Sequence, residues 1–254
     1  MYPIIARIGP VCIYSYGSMV ALGFAVFVLL SYREAPKFGI DREKVVDFGI
    51  FILLGGLLGA RIFYILTNIS YYAANPAEMI NLTKGGLVWY GGFLMGLLVG
   101  LVFVKVNKIN FWDGADMLAP FIPLAQAIGR IGCFLNGCCY GVPAPKNYPL
   151  GVLFPGESVW RHPTQIYESL ALLLLFLILR KWQSSRHFKG EIFLGYALLY
   201  SISRFSIEFL RGDNPRILAS LTISQLVSAS IFLACMVMLG IGFISWKKNS
   251  SRSA

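Results

Sequence analysis

The sequence predicts an all-α protein that crosses a membrane several times. Of its 254 residues, 57% are apolar and only 13% are charged, whereas soluble domains are about 45–50% apolar and about 25% charged. The mean hydropathy of +0.67 agrees with this prediction. The composition excludes a water-soluble enzyme, a disordered chain and a coiled coil.

Seven stretches of the chain are long and apolar enough for transmembrane helices, each of which needs about 20 such residues. They are residues 13–31, 45–66, 86–106, 114–135, 163–182, 190–210 and 222–246. The first stretch leads into a charged segment without a small-residue cleavage site, so we expect a helix there rather than a signal peptide. The sequence contains no clear repeat or second domain, which predicts one transmembrane domain over residues 1–254.

The basic residues predict the orientation of these helices. Thirteen Lys and Arg residues lie in one set of connecting segments, and six lie in the alternate set. Because loops rich in Lys and Arg stay in the cytoplasm, we expect the N-terminus outside and the C-terminus inside. The net charge of +10 is therefore expected to face anionic lipid rather than nucleic acid.

The longest predicted connection, residues 136–162, lies on the outer side in this orientation. It contains four prolines and four glycines, which disfavour a helix. Long irregular loops are usually functional, so we favour a functional loop over a flexible connector.

The polar residues within the predicted helices lie in the outer half of the bilayer, and the inner half is expected to be almost purely apolar. The polar set is Tyr14, Tyr16, Arg61, Trp89, Tyr90, Arg130, Asn136, Thr164, Gln165, Tyr167, Glu168, Tyr200, Arg204, Glu208 and Arg211. Ionisable groups in a membrane are costly unless they pair or line a cavity. Arg204 and Glu208 could simply neutralise each other, and Arg61 could extend to the interface. We favour a site open to the outer leaflet, with excess positive charge, for an anionic ligand such as a phospholipid phosphate.

The cysteines and glycines admit structural interpretations. Cys133, Cys138 and Cys139 could form a disulfide or a metal site, but we favour a packing role as small apolar residues. The chain has no Cys-x-x-Cys pair, no zinc-protease motif and no phosphate-binding loop, so no metal and no cofactor are expected. The spacing of Gly55 and Gly59, and of Gly92 and Gly96, indicates close helix packing.

Residues 129–141, Gly-Arg-Ile-Gly-Cys-Phe-Leu-Asn-Gly-Cys-Cys-Tyr-Gly, resemble the signature of bacterial prolipoprotein diacylglyceryl transferases. The resemblance extends to motifs at residues 16–17, 85–92, 161–168 and 204–211. It implies a multi-pass enzyme of the bacterial cytoplasmic (inner) membrane, with an active site that faces the outer leaflet.

The resemblance also implies the reaction. The family transfers the diacylglyceryl group of phosphatidylglycerol to the lipobox cysteine in the signal peptide of a secreted preprolipoprotein. This step forms a thioether and releases glycerol phosphate. By motif position, Arg130 is expected to bind the headgroup, and Arg204 to assist the phosphate leaving group while Glu208 and Tyr200 hold it. The other residues expected to bind phosphatidylglycerol are Tyr16, Asn136, Gln165, Glu168 and His162.

Three positions depart from the family pattern. The family usually has His where this chain has Tyr90, Asn at Cys133 and Glu at Cys138. Tyr90 is a candidate catalytic residue, either as a phenolate base for the thiol or as a hydrogen-bond partner of the sulfur or phosphate. We favour the second role, because nearby arginines would also promote ionisation of the incoming thiol.

Two other classes of protein remain as alternatives. One is a transporter or flippase for an anionic lipid, which needs polar residues along a complete pathway. The other is an inactive lipid-binding scaffold, which only an activity assay distinguishes from an enzyme.

Overall fold

The computed structural model describes residues 1–9, 11–80, 85–146, 148–212, 214–218 and 220–251, and helices dominate this part of the chain. The helices are α1 (Ser15–Glu34), α2 (Arg42–Thr67), α3 (Ile69–Ala74), α4 (Trp89–Val106), α5 (Phe111–Leu118), α6 (Phe121–Asn136), α7 (Thr164–Gln183), α8 (Glu191–Glu208) and α9 (Ile223–Ser250). Two antiparallel hairpins, which the all-α prediction did not include, are formed by β1 (Ile4–Ile8) with β2 (Val11–Tyr14) and by β3 (Arg216–Leu218) with β4 (Leu221–Thr222).

Four of the described helical segments are long and apolar enough to cross a membrane: residues 15–38, α2, α4 and α9. The pair α5 and α6 gives a fifth candidate if it forms one bent span. The protein is therefore a helical, polytopic membrane protein. Helices α7 and α8 match the predicted stretches in position, but their charged residues lower their hydropathy.

The predicted helix over residues 114–135 is broken in the structure. Helix α5 ends at Leu118, α6 begins at Phe121, and their axes differ by 43°. Pro120 lies at the break, and a proline both lacks a backbone donor and clashes with the preceding turn. The sequence prediction of one continuous helix was wrong at this point.

The chain divides into two compact units, of which the first contains residues 1–31 and 115–254. In this unit α6 packs on α7, α7 on α8, and α8 on α9. Helix α1 approaches α6 closely at Gly132, where a Cβ atom would lie 2.8 Å from Met19 Cβ. Because Gly132 has no side chain, Tyr16 of α1 can lie beside the part of α6 that carries Arg130.

The second unit contains residues 32–114 and is built on α2 and α4. A Cβ atom on Gly59 would lie 2.5 Å from the carbonyl oxygen of Gly91, and the reverse distance is the same. Gly55 faces Val99 equally closely, but Gly96 has no such neighbour. The predicted close packing is therefore confirmed at Gly55 and Gly59.

Two buried acids, Asp116 and Glu191, lie at the end of the first unit opposite to Arg130. The carboxylate of Asp116 accepts hydrogen bonds from the backbone of Gly190 (2.7 Å) and Phe193 (2.9 Å), at the start of α8. Glu191 accepts from Trp182 Nε1 at 2.7 Å. These acids join α5, α7 and α8, and the sequence motifs did not single them out.

Candidate functional site

An ion pair between neighbouring helices lies at the centre of the candidate site. Nη2 of Arg130, on α6, donates to Oε1 of Glu168, on α7, at 2.8 Å. The Glu168 side chain is only 4% exposed, whereas that of Arg130 is 23% exposed. One edge of the guanidinium therefore neutralises a buried carboxylate, and its other edge retains donors for a ligand.

A second ion pair lies within α8. Arg204 Nη1 and Glu208 Oε2 are 2.7 Å apart, as their spacing of four residues predicts. The other oxygen of Glu208 accepts from Thr222 Oγ1 and Asn214 Nδ2, both at 2.7 Å. Thr222 also caps α9. The Glu208 carboxylate thus fixes Arg204 to the start of the next helix, which confirms the expected pairing.

The two ion pairs lie around the hydroxyl of Tyr200. The charged groups that act on this hydroxyl are Glu168, Arg204, Arg130 and Arg211. Arg130 also acts on the hydroxyl of Tyr16, which is 45% exposed. Three arginines therefore lie near the Tyr200 hydroxyl, and their positive charge suits a phosphate diester.

Arg211 is a member of this cluster to which the sequence motifs assigned no role in substrate binding. From the sequence it was expected at the outer end of the predicted helix over residues 190–210, and it was counted among the six basic residues of the outer connecting segments. Its backbone pairs with Gly141 of the long loop, which carries it back towards Arg130. The feature of the sequence that points to Arg211 is its position at the end of the family motif over residues 204–211.

The long loop is ordered by backbone hydrogen bonds. Gly141 N donates to the carbonyl oxygen of His162 at 2.8 Å, and Val142 N donates to that of Leu210 at 2.8 Å. A Cβ atom on Gly141 would collide with the Leu210 carbonyl, so glycine permits this approach. The loop is therefore bound to the end of α8 rather than being a flexible connector.

An ionic network also holds the loop together. Glu157 accepts from the Tyr140 hydroxyl at 2.6 Å and from Arg161 Nε at 2.8 Å, and the Arg161 guanidinium lies over the Tyr140 ring. The hydrogen bond from Tyr140, together with the Arg161 charge, lowers the pKa of Glu157. The same carboxylate raises the pKa of Tyr140.

Gln165 and Asn136 hold the cysteine turn that follows α6. Gln165 Nε2 donates to the carbonyl oxygen of Cys138 at 2.6 Å, and Thr164 Oγ1 donates to that of Cys139 at 3.0 Å. The amide of Asn136 contacts the Cys138 thiol. These contacts give both predicted ligand-binding residues a role in holding the loop.

His162 lies in an aromatic cluster at the base of the loop. Its Nδ1 is 3.4 Å from the hydroxyl of Tyr167, which in turn donates to the hydroxyl of Tyr148 at 3.3 Å. The imidazole and Tyr148 rings are 4.7 Å apart. The described contacts of His162 thus connect the loop to α7.

Arg61 and Tyr90 belong to the second unit. Arg61 is 7% exposed and donates to four backbone carbonyls between Glu78 and Gly86, at 2.8–3.1 Å. Its guanidinium also lies over the rings of Tyr64 and Tyr72. Arg61 therefore organises the backbone of the segment before α4. Tyr90, at the start of α4, is 70% exposed.

Comparison with known proteins identifies close relatives. Residues 3–241 match the family model described as prolipoprotein diacylglyceryl transferase. The chain is similar to three proteins named phosphatidylglycerol–prolipoprotein diacylglyceryl transferase. The Clostridioides difficile protein is 38% identical, with 84% of each chain covered. The proteins from Bacillus cytotoxicus and Bacillus velezensis are 34% and 32% identical; the matches cover 92% and 93% of this chain and 89% and 90% of the relatives.

Proposed function

The chain belongs to the prolipoprotein diacylglyceryl transferase family, and we propose that it transfers the diacylglyceryl group of phosphatidylglycerol to the lipobox cysteine of preprolipoproteins. The observation that carries this proposal is the cluster of Arg130, Arg204 and Arg211 around Tyr200, with Glu168 and Glu208 as internal counter-ions. Such a cluster binds an anionic headgroup without a nucleotide or a metal.

The reaction breaks the bond between the glycerol carbon and the phosphate oxygen of phosphatidylglycerol. The lipobox sulfur attacks this carbon and forms the thioether, and glycerol phosphate leaves with the bonding electrons. Negative charge therefore develops on the phosphate oxygen during the step. Arginine donors that are already oriented stabilise this charge without reorganisation, which is a large contribution in a site of low dielectric constant.

The two arginines are assigned different parts of this step. The exposed edge of Arg130 binds the phosphate, because Glu168 holds its other edge. Arg204 stabilises the leaving phosphate oxygen, and Glu208, anchored by Thr222, keeps it in place. Tyr200 on α8 and Tyr16 on α1 donate hydroxyl hydrogen bonds to the lipid, and Arg211 adds positive charge near Tyr200.

The reaction is assigned to the outer leaflet of the bacterial cytoplasmic membrane. The proposed topology has seven spans, with α7 and α8 included, the N-terminus outside and the C-terminus inside. The distribution of basic residues supports this orientation. In intact cells, an impermeant thiol reagent should modify Ser158→Cys but not Ser185→Cys, with the modified peptide identified by mass spectrometry. The reverse pattern would overturn the orientation.

Transport of an anionic lipid is disfavoured by the contacts of the two acids at the other end of the unit. Asp116 and Glu191 accept hydrogen bonds from backbone amides and from Trp182. They stabilise the junction of α7 and α8 and do not extend the arginine cluster into a pathway.

The proposed function is tested with the purified protein, phosphatidylglycerol vesicles and a lipobox peptide. The expected result is a peptide whose cysteine carries one diacylglyceryl group, together with an equal amount of free glycerol phosphate. The matched control is the same peptide with Ser in place of the cysteine. A folded protein that binds the vesicles but gives neither product would support the scaffold alternative.

A further inference from the structure

Cys133 and Cys138, which depart from the family pattern, converge in space with Cys139. The Sγ atoms of Cys133, Cys138 and Cys139 all lie within 4.8 Å of one another. Cys133 comes from the last turn of α6, whereas the other two come from the turn that follows it. Two thiolates bound to one zinc ion at 2.3 Å, in tetrahedral geometry, are about 3.8 Å apart. The observed separations therefore need only small side-chain rotations to match a common ion.

The backbone around these thiols is held in place. The carbonyl oxygens of Cys138 and Cys139 are bound by Gln165 and Thr164, and Cys138 N donates to Cys133 O at 3.2 Å. Cys139 has a φ of 64°, a left-handed conformation that is unfavourable for a residue with a side chain. Hydrogen bonds from the start of α7 therefore hold this strained turn in place.

The surroundings suit an anionic metal centre. The positive charges of Arg130 and Arg211 both act on the Cys139 sulfur, and Arg130 also acts on Cys133. Three thiolates around a divalent ion carry one net negative charge, and nearby guanidinium groups lower the electrostatic cost of holding it. Soft thiolate ligands select zinc or copper(I) over hard ions. Because Cys138 and Cys139 are only half-buried, the cluster retains an open side.

We propose that Cys133, Cys138 and Cys139 bind a zinc ion whose fourth coordination position takes the lipobox thiol. Catalytic zinc sites have three protein ligands and one open position, and a thiol that coordinates zinc is deprotonated. This inference rests on the proposed function. It gives this chain a means of activating the lipobox thiol that does not require Tyr90.

The step is balanced without an oxidant or a reductant. The peptide thiol loses its proton to water as its sulfur binds the zinc ion. The bound sulfur then forms the bond to the glycerol carbon while glycerol phosphate leaves. The product thioether is a neutral, weaker ligand, so it dissociates and reopens the position.

Cobalt(II) substitution tests the metal site independently of turnover. The reduced, metal-free protein should bind one Co²⁺ with the visible absorption of tetrahedral thiolate coordination. Cys133→Ala and Cys138→Ala should lose this absorption, whereas Cys235→Ala, which removes another buried thiol, should retain it. The absence of thiolate-bound Co²⁺ in the fully reduced wild type would overturn the site. A disulfide among the three cysteines in protein purified without reductant would also contradict it.

The open position is tested with the two lipobox peptides. The cysteine peptide should shift the cobalt absorption, and the serine peptide should not. If neither peptide changes the spectrum, the lipobox thiol is not the fourth ligand. Equal transfer rates in metal-free and zinc-loaded protein would refute the inference but leave the proposed function intact. A spectral response to the cysteine peptide without any diacylglyceryl product would instead support the site and count against the proposed function.

Discussion

Substitution of Arg130 by lysine separates recognition of phosphate geometry from simple charge. In the wild type, Nη2 of Arg130 is held by Glu168 at 2.8 Å while the remaining donors stay available. A lysine has one ammonium group at the end of a flexible chain, so it must share one point charge between Glu168 and the phosphate.

The size of the effect follows from the contact that is lost. A hydrogen bond to a charged group contributes about 1.5–3 kcal/mol. Because about 1.4 kcal/mol corresponds to a factor of ten in rate, Arg130→Lys should lower kcat/KM by about 10- to 100-fold. Arg130→Ala should be at least as impaired. It should also unfold more easily, since it leaves the Glu168 carboxylate buried and unpaired, at a cost of about 3–5 kcal/mol.

The assay is transfer to a lipobox peptide from phosphatidylglycerol vesicles, with thermal unfolding measured on the same samples. Arg7→Lys, at an exposed arginine of the N-terminal hairpin, is the matched control and should behave as wild type. If Arg130→Lys turns over at nearly the wild-type rate, positive charge alone is sufficient. The proposal that one edge of the guanidinium binds Glu168 while the other binds the phosphate would then be wrong.

Three further predictions concern residues outside this ion pair. Tyr90→Phe should reduce transfer by less than about 10²-fold, below the contribution of a general base, and a variant as inactive as Arg130→Ala would show that Tyr90 moves the proton. Arg61→Lys should lower the free energy of unfolding by at least about 3 kcal/mol, because one ammonium cannot reach four carbonyls; lost activity at unchanged thermal stability would place Arg61 in substrate binding instead. The lowered pKa of Glu157 stabilises the loop fully above its ordinary value near 4.5, and this contribution disappears as the pH falls through the folded-state pKa. Proteolysis of the loop should therefore accelerate with acidification in the wild type, and Glu157→Gln should be cut at a rate with little pH dependence over the same range.

The sequence was sufficient to place the helices and one of the two ion pairs. Apolar length located α2, α4 and α9, and the spacing of four residues predicted that Glu208 would hold Arg204. Family motifs named both Arg130 and Glu168. Nothing in the sequence showed that these two residues bind each other, because their contact depends on how α6 packs against α7.

The sequence failed where an arginine had more than one physical role available. Arg61 and Arg130 both lie in apolar stretches. The Arg61 guanidinium, however, donates to backbone carbonyl oxygens that come together only when the segment before α4 folds. Arg211 was counted as a loop residue, because its return to the cluster depends on a backbone pairing with Gly141. Partners distant in sequence, rather than residue type, decide these roles.

The ion pairs also impose an order on how the chain enters the membrane during synthesis. An isolated arginine or aspartate at the centre of an inserting helix costs about 2.5–3.5 kcal/mol. Helix α8 emerges with Arg204 and Glu208 already four residues apart, so it brings its own counter-ion. Helix α6 emerges with Arg130 but must wait for Glu168, which is made 38 residues later. Insertion of α6 together with α7 would avoid this cost, because the two charges then enter the lipid already paired.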